Sequence, residues 1–156
     1  MSMLSDEEIK EIQAELVHYD QPQAASIEAL RIVQRHRGYI SDESLADIAA
    51  VLGMSTAELD GVATFYNLIF RRPVGRHIIL VCNSISCWLV GYEGVRGYLS
   101  KKLGIGLGET TPDNRFTLLP IACLGACDRG PTMMVDDDLH GNLTPDRIDA
   151  ILERYS

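Results

Sequence analysis

The sequence predicts an α+β protein in two parts: an N-terminal helical bundle over residues 1–72, then a small α/β domain over residues 73–156. Three observations carry that expectation. Apolar residues recur at helical spacing, with two capping boxes, up to about residue 70. At RRPVGRH (71–77) the pattern gives way to compact apolar runs rich in β-branched residues. Those runs alternate with two further helical patterns in the order β-α-β-β-α.

The elements follow in chain order. SDEE (5–8) and STAE (55–58) each read as a capping box, in which a Ser oxygen accepts from the third helical N–H and a Glu reaches back. The first of these helices is expected at the periphery. Ile27, Leu30 and Val33 form a short stripe. In SDESLADIAAVLG, Leu45, Ile48, Ala49 and Leu52 fall at i, i+3, i+4 and i+7, and Gly53 follows as a stop. Leu59, Val62, Ala63 and Tyr66 repeat the spacing. These stripes are core faces.

HIILVC is a strand that ends at Cys82. GYEGVRGYLSKKLG then places Tyr92, Val95, Leu99 and Leu103 on one helical face. FTLLPIAC is a second strand that ends at Cys123, and PTMMVDD is a third, followed by a turn. LTPDRIDAILERY opens with Thr144 as N-cap and Pro145 at the first helical position, and its apolar face is Ile148, Ile151, Leu152 and Tyr155. The strand–helix–strand order predicts a parallel pair joined by a right-handed crossover.

Composition narrows the function. A net charge of −8 argues against a nucleic-acid partner, and Arg71, Arg72 and Arg76 are too few to make a phosphate-binding patch. MSMLSDEEIKEI has neither the pattern of a signal peptide nor that of a transit peptide, and no apolar run reaches the ~18–20 residues of a membrane span. The sequence therefore reads as cytoplasmic. In that reducing compartment four cysteines are metal ligands or reactive thiols rather than two disulfides.

The cysteines are Cys82, Cys87, Cys123 and Cys127: C-x4-C, a gap of 35 residues, then C-x3-C. The first of each pair closes a predicted strand and the second lies in the following loop. If the two strands share a sheet, all four sulfurs emerge at one edge. A thioredoxin-type redox pair needs C-x-x-C, which neither pair has. Four-cysteine zinc tolerates this spacing, and a [2Fe-2S] cluster takes four thiolates, two per iron. Buried structural cysteines are the third reading. Spacing points to a metal site and leaves its metal open. In CLGACDRG, Gly125 reads as a clearance that lets backbone N–H groups approach sulfur.

GVATFYNLIFRRPVGRH (61–77), CNSISCWLVGYEG (82–94), FTLLPIACLGACDRGPTMMVDDD (116–138) and NLTPDRIDAILERY (142–155) resemble a known family. It is the E-subunit family of bacterial NADH:quinone oxidoreductase, respiratory complex I. These are thioredoxin-like [2Fe-2S] ferredoxin subunits. QAASIEALRIVQRHRGYIS (23–41) extends the likeness into the helical half, and all four cysteine positions are occupied. Gly130 stands where many relatives have Ala, outside the ligand set.

The resemblance implies a helical N-terminal bundle followed by a thioredoxin-like [2Fe-2S] ferredoxin domain. It implies one [2Fe-2S] cluster, with Cys82 and Cys87 on one iron and Cys123 and Cys127 on the other. It also implies an electron carrier with no substrate chemistry of its own. The partners would be the flavin- and NADH-binding F-type subunit, which holds FMN and NADH, and the adjacent iron–sulfur G-type subunit. The assembly would be peripheral on the cytoplasmic side of the inner membrane, with no direct insertion of this chain. The equivalent diaphorase subunit of an NAD-linked formate dehydrogenase or hydrogenase shares these motifs, and a four-cysteine zinc module is the alternative of another class.

Other residues are read more plainly. GYEGVRG has glycines at the wrong intervals for a dinucleotide fingerprint. Asp128 and the run Asp136–Asp138 would lower a nearby cluster's potential and Arg129 would raise it, but a solvated turn is the preferred reading of the Asp run. Trp88 either shields the site or packs. His18, His36, His77 and His140 are scattered, the first two in helical patterns. Met133 and Met134 read as strand core.

Overall fold

Ser5 closes the first capping box: its hydroxyl accepts from the Glu8 N–H at 3.2 Å, and the Glu8 carboxylate accepts from the Ser5 N–H at 2.7 Å. The helix so started, α1, spans Asp6–Leu16 in a computed structural model that describes residues 4–155. The chain divides into two units, Met1–Pro73 and Val74–Ser156.

The first unit is helical. After α1 come a 3-10 turn at Pro22–Ala25, α2 (Ser26–Arg37), α3 (Asp42–Leu52) and α4 (Thr56–Phe65). The second capping box is present at Ser55 and Glu58, and Gly53 stops α3 at φ +66°. Leu30, Val33, Leu45, Ile48, Leu52, Leu59 and Ala63 are buried in one cluster, as the stripes predict.

Three expectations differ here. The first helix is not peripheral, because its Ile12 is fully buried in the cluster and its buried Glu8 accepts two hydrogen bonds of 2.6 Å from Arg37 on α2. Tyr66 leaves the α4 stripe and is exposed, since the helix ends at Phe65 and the Tyr66 backbone is extended. His18 lies just past α1 rather than in it.

The second unit carries the sheet. Its elements are β1 (His77–Cys82), α5 (Ile85–Leu89), α6 (Tyr92–Leu103), β2 (Phe116–Ile121), a 3-10 turn at Cys127–Arg129, β3 (Met133–Val135), β4 (Asp138–His140) and α7 (Pro145–Leu152). The strand order is β2-β1-β3-β4, with β1 parallel to β2 and antiparallel to β3. Alternate residues Ile79, Val81, Phe116, Leu118, Met133 and Val135 pack with Tyr92, Val95 and Leu99 of α6 and Ile148, Ile151 and Leu152 of α7.

The sequence reading has no β4 and places a turn there instead. That turn exists at Asp136 (φ +52°), and the three-residue strand after it pairs with β3 as a short edge. Its lack of apolar alternation hides it from a pattern argument. Among the described residues no single helix is long and apolar enough to cross a membrane.

Candidate metal centre

Parallel pairing sets the geometry. Cys82 stands opposite Ile121 at the ends of β1 and β2, so the segments that follow both strands leave at the same sheet edge. The Asn83 N–H closes that ladder on the Ile121 carbonyl at 3.0 Å. Cys82 ends β1, as expected. Cys87 stands on the short helix α5 rather than in a loop, and β2 stops two residues before Cys123. Cys127 opens the 3-10 turn.

The four thiols are free and divide into two kinds. Cys82 and Cys87 are buried, while Cys123 and Cys127 are exposed. Among the described residues there is no group of three or more His, Cys, Asp or Glu arranged to hold one ion. The two segments do meet. The Leu124 backbone N–H, next to Cys123, reaches the Cys82 sulfur together with the Ser84 N–H. Gly130 lies between the pairs: a Cβ there would stand 3.6 Å from Cys87 Sγ and 3.7 Å from the Cys127 carbonyl oxygen.

Hydrogen-bond donors reach the sulfurs of Cys82, Cys87 and Cys123. Thr132 Oγ1 is 3.4 Å from Cys87 Sγ, and the Gly125 N–H donates to Cys123 Sγ at 3.3 Å. Burial disfavours a charged Cys82, but the Ser84 and Leu124 N–H groups, with Cys87 and Thr132, outweigh it and hold that thiol below its ordinary pKa. Burial above all, with Cys82 beside it, pushes the Cys87 thiol up against the Thr132 donors. Gly125 has a different explanation from clearance. Beyond Gly125 and its two chain neighbours, no protein atom lies within 4 Å of a Cβ built there, whereas its φ of +72° is a conformation that glycine adopts freely.

The remaining residues sort by distance from the sulfurs. Asp136 Oδ2 pairs with His77 Nδ1 at 2.7 Å, and Asp136 Oδ1 accepts from the Ile78 N–H at 2.9 Å. His77 begins β1 and Cys82 ends it, which is about 16 Å at 3.3 Å per residue. The Asp run is therefore the turn at the far end of the strand. Asp138 accepts from the Tyr155 hydroxyl at 2.8 Å, and burial followed by that bond pushes the Tyr155 phenol up to about 12. His36 pairs with Glu11 at 2.9 Å, in the helical unit. Met133 is fully buried in the core. Arg71 is taken up by Asp42 and Asp60, at 2.6 and 2.9 Å. Asp128 and Arg129 are exposed beside Cys127.

Trp88 is 53% exposed and does not pack into a core; Ile85, Leu89 and Val90 around it are also exposed. Sequence reasoning missed Thr132 and the N–H donors of Ser84 and Leu124. The signal for Thr132 was its place after Gly130–Pro131, where the loop enters β3.

Thiols in two pairs, with N–H and hydroxyl donors aimed at sulfur, suit a two-iron cluster that takes two thiolates per iron. The family comparison agrees with that donor set. The thioredoxin-like [2Fe-2S] ferredoxin family model matches residues 12–156. The E-subunit of the NADH-quinone oxidoreductase of Pseudomonas aeruginosa is 54% identical over 153 residues, which cover 98% of this chain and 92% of that one. Its namesake from Escherichia coli K12 is 54% identical over 152 residues, 97% of this chain and 92% of that one. An NAD+-reducing [NiFe]-hydrogenase solved in its air-oxidised state shares the fold, with a TM-score of 0.71 and 24% identity over 84% of this chain and 22% of that longer one. By motif, fold and near full-length identity, this chain belongs to the thioredoxin-like [2Fe-2S] ferredoxin family.

Proposed function

We propose that this chain is the electron-transfer subunit of an NADH-quinone oxidoreductase. Cys82 and Cys87 hold one iron of a single [2Fe-2S] cluster, and Cys123 and Cys127 hold the other. The observation that supports this most directly is the meeting of the two cysteine segments at one sheet edge, where Cys82 stands opposite Ile121 and the Asn83 N–H donates to the Ile121 carbonyl oxygen at 3.0 Å. When bound, such a cluster accepts and returns one electron at a time.

The chain's own residues hold the thiolates in place and supply donors to sulfur. They also keep one pair away from water while the other faces solvent. The helical domain is residues 1–72 and the thioredoxin-like domain residues 73–156. FMN and NADH sit on the F-type flavin subunit, since this sequence has no glycine-rich strand–turn–helix for a dinucleotide. The G-type iron–sulfur subunit is the second neighbour. The assembly is peripheral on the cytoplasmic face of the membrane.

Anaerobic purification tests the reading. Iron and acid-labile sulfide in equal amounts, visible absorption and a one-electron EPR signal after reduction are expected. A colourless chain with stoichiometric zinc overturns it. The hydrogenase-type reading rests on fold likeness at 24% identity. The quinone-reductase reading rests on 54% identity over nearly the whole chain, and is preferred for that reason.

A further inference from the structure

Thr132 is 1% exposed, and its hydroxyl stands against the sulfur of the buried cysteine pair. It sits where the loop after Cys127 enters β3. Val81 pairs with Met133 in the β1–β3 ladder, and the next bond of that ladder runs from the Cys82 N–H to the Thr132 carbonyl oxygen at 3.2 Å. The backbone of Thr132 is thus fixed against one cysteine while its Oγ1 stands 3.4 Å from the sulfur of another, Cys87. Buried hydroxyls are placed where they have a partner, and the partner here is sulfur.

Between two neutral groups either could be the donor. Ligation removes the thiol proton, so a Cys87 thiolate only accepts, and the hydroxyl must donate. A donor to a ligand sulfur stabilises the more negative, reduced form of an iron–sulfur centre more than the oxidised form. We infer that the Thr132 hydroxyl donates to Cys87 Sγ and raises the reduction potential of the cluster, as a positioning residue that acts through its ligand. This rests on the assignment of Cys87 as a ligand.

The test is an EPR-monitored redox titration of the loaded full-length chain. Thr132→Val keeps the shape and removes the donor; Thr132→Ser keeps the donor. Reduction is expected to become about tenfold less favourable in Thr132→Val, a fall of about 59 mV for a one-electron couple. Thr132→Ser is expected to stay near the parent. After exchange into D2O, a deuteron coupling to the reduced centre should weaken in Thr132→Val and persist in Thr132→Ser. Thr132→Ala is read alongside, and takes the place of Thr132→Val if that variant does not load. A loaded variant without the hydroxyl at the parent potential overturns the inference. So does Thr132→Ser moving as far as Thr132→Val, because packing rather than the donor would then set the potential. A parent chain with no iron–sulfur signal overturns the ligand assignment instead.

Discussion

Gly141 lies hard against Arg129: a Cβ on the glycine would stand 2.7 Å from Arg129 Cβ and 2.8 Å from its carbonyl oxygen. The Asn142 N–H donates to that same oxygen at 2.6 Å, and the Leu143 N–H to the Pro131 carbonyl oxygen at 3.2 Å. The segment before α7 therefore pins the loop that carries Cys127.

Gly141→Ala is expected to push backbone against backbone, which has no cheap relief. The loss is about 1–3 kcal/mol, the usual cost of overpacking. Displacement of Arg129 would carry Cys127 with it, so cluster retention during anaerobic gel filtration should fall too. Gly130→Ala is the contrasting case. Its Cβ would meet Val90 Cγ2 at 2.8 Å, but Val90 is exposed and can turn away. A cost of about 1 kcal/mol or less is expected there, with the cluster kept. Equal retention in Gly141→Ala and the parent would show that the loop does not depend on this contact.

Cys123→Ser and Cys127→Ser are expected to abolish or impair cluster loading while leaving the helical unit folded. Neither residue belongs to the buried clusters of the two units, so the loss should be of absorbance and not of helix. Visible spectra and far-UV circular dichroism of the same samples separate the two. An unchanged visible spectrum in either variant removes that cysteine from the ligand set.

Much of the fold was legible because its signals are local. The capping boxes at Ser5 and Ser55, the stop at Gly53 and the N-cap at Thr144 are each set by residues a few positions apart. What failed depends on distant partners. Nothing near Glu8 in sequence announces Arg37, so α1 reads as peripheral until the ion pair is seen. The β4 strand is three residues long and opens on an aspartate, and only its ladder with β3 defines it. The site shows the same division. The four cysteines, their grouping into two pairs and the place of Cys82 at the end of β1 are visible from spacing and the apolar runs, whereas Cys123 lies two residues past the end of β2 and Cys87 on α5. Thr132, Gly141 and the Leu124 N–H are brought to the site by sheet register and loop closure, which no short window contains.

The run NSISCWLVGY (83–92) carries no charged residue, yet Ile85, Trp88, Leu89 and Val90 are exposed. An uncharged apolar surface beside a redox site is a place for a partner to dock. Trp88→Glu or Leu89→Glu is expected to weaken association with the F-type subunit proposed above as its neighbour, while leaving the cluster spectrum intact. A central Trp in such a contact is worth about 2 kcal/mol or more, roughly thirtyfold in affinity. Co-purification at parental yield at limiting partner concentration would rule this surface out.

The Glu8–Arg37 pair is expected to make the stability of the helical unit depend on pH. Burial alone would raise the Glu8 pKa. The Arg37 hydrogen bonds, the Ser5 N–H and the Arg37 charge outweigh burial and hold Glu8 below the ordinary glutamate value of 4.5. A carboxylate whose folded pKa is depressed binds fewer protons folded than unfolded. Its contribution is fully present above the unfolded value and disappears as pH falls through the lowered folded value. The parent should therefore lose helical stability below about pH 5. Glu8→Gln removes the charge that Arg37 faces and should cost about 3 kcal/mol at pH 7. That figure is the low end of the range for breaking a buried pair, because Arg37 keeps 27% of its side chain in solvent. The gap between Glu8→Gln and the parent should close as the pH falls. Thermal melts followed at 222 nm on both chains, at neutral pH and in acid, read it directly. A gap that stays constant across that range would mean that Glu8 acts through packing and not through its charge.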